Sequence, residues 1–267
     1  PRELGRKSIA VNLSDLGAMG AKPRFFTISL GMPTNTTSRW VREFYEGLTF
    51  CGGEHGAVLA GGDLSGADKI TISITAFGES ENRKVAYRSG GRPGDLLYVT
   101  GTLGKSAAGL KLLQRGTIRS RYAYKRDALC AHRTPEPRCS VGQWLVQNRN
   151  VRCMMDISDG LSADLPRMCA ASGTDAEIFA EKIPVFKESA SWGCDPLKLA
   201  LSGGEDYELL FAVPRAKKNL MKNLPPDFPS VTHIGNMLEG NGKVWISGAG
   251  EARRLRPAQG FDHFRST

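Results

Sequence analysis

Four times in 267 residues a carboxylate stands among glycine or serine where a strand is about to end or a helix to begin: Ser14-Asp15, Gly61-Gly62-Asp63, Asp156-Ile-Ser158-Asp159-Gly160 and Ser202-Gly-Gly-Glu205-Asp206. That punctuation favours an α/β fold, in which strands empty into polar turns along a ligand crevice. Glycine lets a backbone approach a phosphate closely and donate its N–H groups to it. Hard carboxylate oxygens beside such turns suit Mg²⁺, which binds through few carboxylates and completes its shell with water and substrate phosphate. One cluster alone reads as a turn or a helix cap. The four together indicate a magnesium-nucleotide site, and Asp156 and Asp159, three residues apart, repel unless a cation lies between them.

The segments around these turns mix helix and strand. From Ser38, the residues Trp40, Val41, Phe44, Tyr45 and Leu48 follow one helical face, with Thr37 or Ser38 as N-cap. Residues 58–60 read as a short buried strand that stops at Gly61, and Ile70, Ile72 and Ile74 alternate with polar residues as a half-buried strand does. The richest turn cluster, residues 88–95, places a domain boundary between residues 1–92 and 93–267. Beyond it, strands are expected at 96–100, 152–155, 176–179, 208–213 and 231–234, and helices at 105–113 and after Gly160. The second of these carries Leu161, Leu165 and Met168 on one face and tolerates Pro166 near its first turn.

Composition narrows the function classes. The chain has 36 Lys+Arg against 27 Asp+Glu, a formal charge of +9, and 40% hydrophobic residues, which suits one large or two modest globular domains rather than a disordered chain. No apolar run approaches the ~18 residues of a membrane span, so a cytoplasmic enzyme without a membrane partner is the expectation. The six cysteines form no C-x-x-C pair and read as reduced, mostly buried thiols. Basic residues cluster between Arg119 and Arg126, interleaved with Tyr122 and Tyr124, and again at Arg253, Arg254 and Arg256. Both read as solvated surface rather than as a nucleic-acid site.

Gly101-Thr-Leu-Gly104-Lys105-Ser106 imitates a P-loop, but the first glycine of that pattern falls on Val99, leaving a strand-to-helix turn. The signatures of dinucleotide binding, zinc proteolysis and the serine nucleophile elbow are absent. His55, His132, His233 and His263 show no partner in sequence and read as structural or exposed.

Further runs make the pattern recognisable: Asn12-Leu-Ser-Asp15-Leu-Gly-Ala-Met-Gly-Ala-Lys-Pro23, Phe44-Tyr-Glu-Gly47, Arg88-Ser-Gly90, Pro93-Gly-Asp95, Val99-Thr-Gly101, Leu201-Ser-Gly-Gly-Glu-Asp-Tyr-Glu208 and Gly260-Phe-Asp-His-Phe264. With the acidic turns, they make the chain resemble the thiamine-monophosphate kinases of the aminoimidazole ribonucleotide synthetase superfamily. The resemblance implies transfer of the ATP γ-phosphoryl group to thiamine monophosphate with several Mg²⁺ ions. It implies Asp15, Asp63, Asp156 and Asp159 as metal ligands, with Asp156 and Asp159 at the catalytic centre. Tyr45, Gly62, Arg88 and Ser158 would contact ATP, and Glu205 and Phe261 the thiamine moiety.

The implied fold is two α/β domains, with an N-terminal sheet that pairs in a homodimer and a larger C-terminal domain. The family carries a leading segment, with an Asp-Asp metal site, ahead of the first motif. Its absence before Pro1 makes a fragment or a degenerate protein the expectation. The competing readings are a sibling ATP-dependent enzyme of the superfamily and a binding protein without catalysis.

Overall fold

The computed structural model describes residues 1–81, 84–148, 151–248 and 250–255. The chain opens with helix α1 (Arg2–Ala18), followed by β1 (Lys22–Met32), α2 (Ser38–Glu54), β2 (Val58–Gly66) and β3 (Thr71–Glu79). The strands form a three-stranded sheet in the order β2-β1-β3, with β1 parallel to β2 and antiparallel to β3. Alternation along β1 turns Phe26, Ile28 and Leu30 into a core shared with Ile9 and Leu13 of α1 and Phe44 and Leu48 of α2. The helices approach closely because Gly5 and Gly47 lie at their crossing. A Cβ on Gly5 would stand 2.0 Å from the Phe44 carbonyl oxygen, and one on Gly47 would stand 2.0 Å from that of Arg2. Thr37 caps α2, its Oγ1 accepting from the Trp40 N–H at 3.2 Å.

The second sheet has seven strands. After β4 (Leu96–Thr100) come α3 (Lys105–Gln114), α4 (Ala123–Arg133), α5 (Cys139–Gln147), β5 (Cys153–Asp156), α6 (Leu161–Ser172) and β6 (Thr174–Phe179). They are followed by α7 (Pro196–Ser202), β7 (Leu209–Val213), β8 (Val231–Glu239), β9 (Val244–Gly248) and β10 (Gly250–Arg254). The strand order is β10-β9-β6-β8-β4-β7-β5, antiparallel throughout except for β6 beside β9. β4 and β7 are buried along their whole length and feed two cores by simple alternation. Leu97, Val99, Leu210 and Ala212 meet α6, whereas Leu96, Tyr98, Leu209 and Phe211 meet Val141 and Leu145 of α5. α1 also reaches this second unit through Ala18.

Several expectations are corrected. Residues 58–60 do not form a short buried strand: β2 is an exposed edge that continues through Gly61, Gly62 and Asp63 to Gly66. Backbone pairing with β1, which sets Asp63 beside Ser29, carries the strand past its glycines. Ser14 and Asp15 lie inside α1 because Ile9, Leu13 and Leu16 keep helical spacing against the core and no breaker intervenes before Gly17. Pro166 lies in the second turn of α6, not the first. Of the cysteines, Cys51, Cys139, Cys153 and Cys169 are buried free thiols, as expected, while Cys130 is exposed.

Candidate active site

The site is assembled from two loops joined by backbone hydrogen bonds. The turn after β5 carries Ser158 and Asp159, and the loop after α7 carries Glu205 and Asp206. Glu205 N–H donates to the Ser158 carbonyl at 2.7 Å, Tyr207 N–H to that of Ile157 at 2.9 Å, and Ile157 N–H to that of Glu208 at 2.8 Å. Glycine makes this contact possible. Gly160 has φ +100°, and a Cβ there would lie 2.9 Å from the Gly203 carbonyl oxygen. One on Gly204 would lie 2.5 Å from that of Ser158. Glu205 and Tyr207 adopt φ of +64° and +51°, a left-handed conformation costing a non-glycine residue ~1–3 kcal/mol and held here by the hydrogen bonds just named.

Asp164 on α6 shapes the first loop from below. Its fully buried carboxylate accepts from the N–H groups of Ser158 at 3.1 Å and Asp159 at 3.0 Å. Arg167 bridges Asp164 at 2.8 Å and Asp159 at 2.5 Å. Asp156, at the end of β5, is buried, and its Oδ2 accepts from the Ser14 hydroxyl at 2.6 Å, which brings α1 to the loop. Burial pushes the Asp156 carboxyl up to about 6 despite that bond, and the charges of Asp15 and Asp164 add to the shift. Asp15 is likewise raised by burial, with Arg88 opposing. The Tyr207 hydroxyl is raised first by burial and then by the charges of Glu205, Asp156, Asp15 and Asp159.

Ser158, Asp159, Glu205 and Tyr207 line a cleft of about 960 Å³ together with His132 and Lys198. Among the described residues no three acidic, histidine or cysteine side chains are spaced as a ready metal cage. Mg²⁺ needs no such cage, since it is held by one or two carboxylates together with water and phosphate oxygens. Asp15 and Asp156, two neighbouring carboxyls raised by burial, fit that donor set. Asp159 is committed to Arg167.

The structure therefore brings Asp15, Asp156, Asp159, Ser158 and Glu205 to one region, with Arg88 within electrostatic reach of Asp15. Asp63, Gly62 and Tyr45 belong to the three-stranded unit, and Asp63 has no ion pair among the described residues. Gly62 is required by packing, because a Cβ there would stand 1.9 Å from the Ile28 carbonyl oxygen. Tyr45 packs edge-on against Phe44 at 5.7 Å. Phe261 lies outside the described residues, as do Arg256 and His263.

Three features escaped the sequence reading. His132 is not a bystander: its Nδ1 lies 3.2 Å from Glu205 and 3.1 Å from the Ser106 hydroxyl. Arg138 forms a bidentate pair with buried Glu208 at 2.7 and 2.8 Å, and Thr100 donates to the same carboxylate at 2.5 Å. The P-loop imitation ends at an α3 N-terminus already filled by Asp206, which accepts from the N–H groups of Gly104 at 2.7 Å and Ser106 at 3.3 Å. Of these, Asp206 and Glu208 lay within the acidic motif 201–208, and Asp164 was visible as the aspartate that follows the Asp156 to Gly160 turn. In the basic segment, Tyr122 stacks on Tyr124 and Tyr124 on Trp192, with Arg121 and Lys125 over the Tyr122 ring.

Comparison with known proteins gives the same outline. Residues 1–80 match AIR synthase related protein, N-terminal domain, and residues 92–246 match its C-terminal domain. The thiamine-monophosphate kinase of Bacillus subtilis (strain 168) is 33% identical over 273 residues, covering 99% of this chain and 82% of that protein. The solved structure of AaThiL complexed with AMPPCP and TMP matches with a TM-score of 0.87 at 33% identity, over 99% of this chain and 81% of that one. Hydrogenase maturation protein HypE matches with a TM-score of 0.81 over 98% of this chain and 84% of that one, but at 18% identity the likeness is one of fold.

Proposed function

The chain belongs to the thiamine-monophosphate kinases of the AIR synthase related family, and from that membership we propose that it transfers the γ-phosphoryl group of ATP to thiamine monophosphate, giving thiamine diphosphate and ADP. The observation that carries this reading is the joining of the two acidic loops, which sets Ser158, Asp159, Glu205 and Tyr207 on the wall of one cleft, with Asp156 tied to Ser14 at the end of the strand that leads into it. The acceptor is a phosphate monoester with a second pKa near ~6, largely dianionic at neutral pH, so its attacking oxygen needs no general base. A site rich in aspartate, with His132 tied to Glu205 and Ser106, suits that chemistry. The chemical difficulty is repulsion between two polyanions, which is met by positioning and charge neutralisation.

Asp15 and Asp156 would hold Mg²⁺, which when bound neutralises phosphate charge and aligns the two reactants. Asp63 and Asp159 are assigned as further metal ligands on the resemblance, as are Tyr45, Gly62, Arg88 and Ser158 as ATP contacts. Arg88, by its reach to Asp15, is suited to a nucleotide phosphate beside the metal. Glu205 and Phe261 are assigned to the thiamine moiety. Both Glu205 oxygens already have a partner, so its role is that of an oriented acceptor rather than a free anion.

We further propose two units meeting near residue 92, a homodimer formed through the three-stranded sheet, and a cytoplasmic enzyme. No helix among the described residues is long and apolar enough to cross a membrane.

Chromatographic detection of thiamine diphosphate after incubation with thiamine monophosphate and Mg-ATP tests the reading. Product is expected from the unaltered chain and at least a hundredfold less, on the order of one lost electrostatic contact at the reacting centre, from Asp156→Asn. Equal product from both would remove Asp156 from the catalytic centre.

A further inference from the structure

Glu205 is held from two helices, and a third supports one of its partners. Lys7 of α1 lies 2.9 Å from its Oε1, and His132 of α4 lies 3.2 Å from its Oε2. Lys7 also donates to the His132 carbonyl at 2.8 Å, and the Ser106 hydroxyl of α3 lies 3.1 Å from His132 Nδ1. The ring reaches this position because α3 and α4 cross tightly at Gly109. A Cβ there would stand 2.0 Å from the Ala128 carbonyl oxygen and 3.1 Å from His132 Cβ. The carboxylate itself is carried on a left-handed backbone, φ +64°, at the wall of the cleft.

The ring's protonation follows from its partners. A carboxylate only accepts, so the ring meets Glu205 Oε2 as a donor when Nδ1 carries the proton, while its role toward the Ser106 hydroxyl follows the tautomer. Burial and Lys7 push the His132 pKa down, as does Arg133, and Glu205 opposes them. Each carboxylate oxygen has a further lone pair, and those not used by Lys7 and His132 remain for a ligand in the cleft.

Resting on the reading of Glu205 as a thiamine contact, we propose that His132 is the positioning residue of the thiamine subsite, fixing Glu205 by donating from Nδ1 toward Oε2, with Lys7 as the opposing anchor. Neither residue need touch the substrate. A pre-oriented carboxylate spares the ligand the ordering cost of an otherwise long and mobile side chain.

The test is calorimetric titration of thiamine monophosphate into the full chain and its variants. Asparagine presents an N–H close to the place of Nδ1, and glutamine close to that of Nε2. His132→Asn is expected to bind within about threefold of the unaltered protein, and His132→Gln and His132→Leu about tenfold more weakly, the size of one hydrogen bond to a charged group. The pair His132→Leu and Glu205→Gln combined should bind no more weakly than Glu205→Gln alone, since the two act as one unit.

Equal weakening by Asn and Gln overturns the proposal, as does unchanged affinity in His132→Leu when Glu205→Gln is weakened. Unchanged affinity in Glu205→Gln overturns the Glu205 assignment itself, and the proposal with it. Should the leucine variant fail to fold, the comparison of asparagine with glutamine decides alone.

Discussion

The carboxyl of Asp206, half-buried at the mouth of α3, receives two backbone N–H groups, yet desolvation pushes it up to about 7 against those bonds. A carboxyl held above its unfolded value of 3.8 binds its proton more tightly in the native state. Its contribution to stability is therefore fully present below about 3.8 and is lost as pH rises through about 7. Urea midpoints of the unaltered chain minus those of Asp206→Asn should fall steadily from pH 4 to 8, and a flat difference would remove Asp206 as the source. Arg138 sets the opposite case, because replacing it with methionine leaves Glu208 buried without its bidentate partner. A loss of about 3–5 kcal/mol is expected from denaturant unfolding. Asp206 stood in an acidic cluster of the sequence, but Arg138 did not stand out: an arginine seventy positions from its glutamate shows no spacing that a reader could use. Asp156, Asp159 and Glu205 were legible because their chemistry is local, a carboxylate among glycines. His132 was not, because its partners come from α3 and the loop after α7.

Helix α2 separates two roles of glycine within one element. Gly47 abuts the Arg2 carbonyl, so alanine there must push α1 and α2 apart and should cost about 1–3 kcal/mol as an overpacked contact. Gly53, near the exposed end of the same helix, has nothing within 4 Å of an added Cβ, and alanine should stabilise by about 0.5–1 kcal/mol through helix propensity. Opposite shifts of the thermal midpoints check both, and equal shifts would mean that the helix crossing is not set by Gly47. Elements with a clear apolar pattern were legible: α2 because burial there follows a period of 3.6, and β4 because a short continuous apolar run is buried on both faces. β2 was not, since three apolar residues before a glycine pair read the same whether the strand is central or an exposed edge. α1 was missed because its polar residues hide a buried stripe of Ile9 and Leu13, continued by the partly buried Leu16.

At the scale of the whole molecule, α1 couples the two sheets. It packs on α2 and also bonds Asp156 through Ser14 and Glu205 through Lys7, so the proposed metal and thiamine residues answer to an element of the smaller unit. That smaller unit leaves one face of its sheet uncovered. Phe25 of β1 is in register with Val58 on one side and Phe77 on the other, and these three apolar side chains are 44%, 67% and 42% exposed. Phe25 and Phe77 stack at 4.7 Å, forming a flat apolar row between the edge strands β2 and β3. An exposed row of this kind beside unpaired strand edges favours association with a matching surface, and a second copy supplies one by two-fold symmetry. Sedimentation of the unaltered chain at micromolar concentration is expected to give a dimer, and Phe25→Ser combined with Phe77→Ser a monomer with unchanged far-ultraviolet circular dichroism. Because α1 lies against this same sheet, the monomeric variant should also bind thiamine monophosphate more weakly, whereas a sedimentation profile untouched by the two serines would move the dimer interface elsewhere.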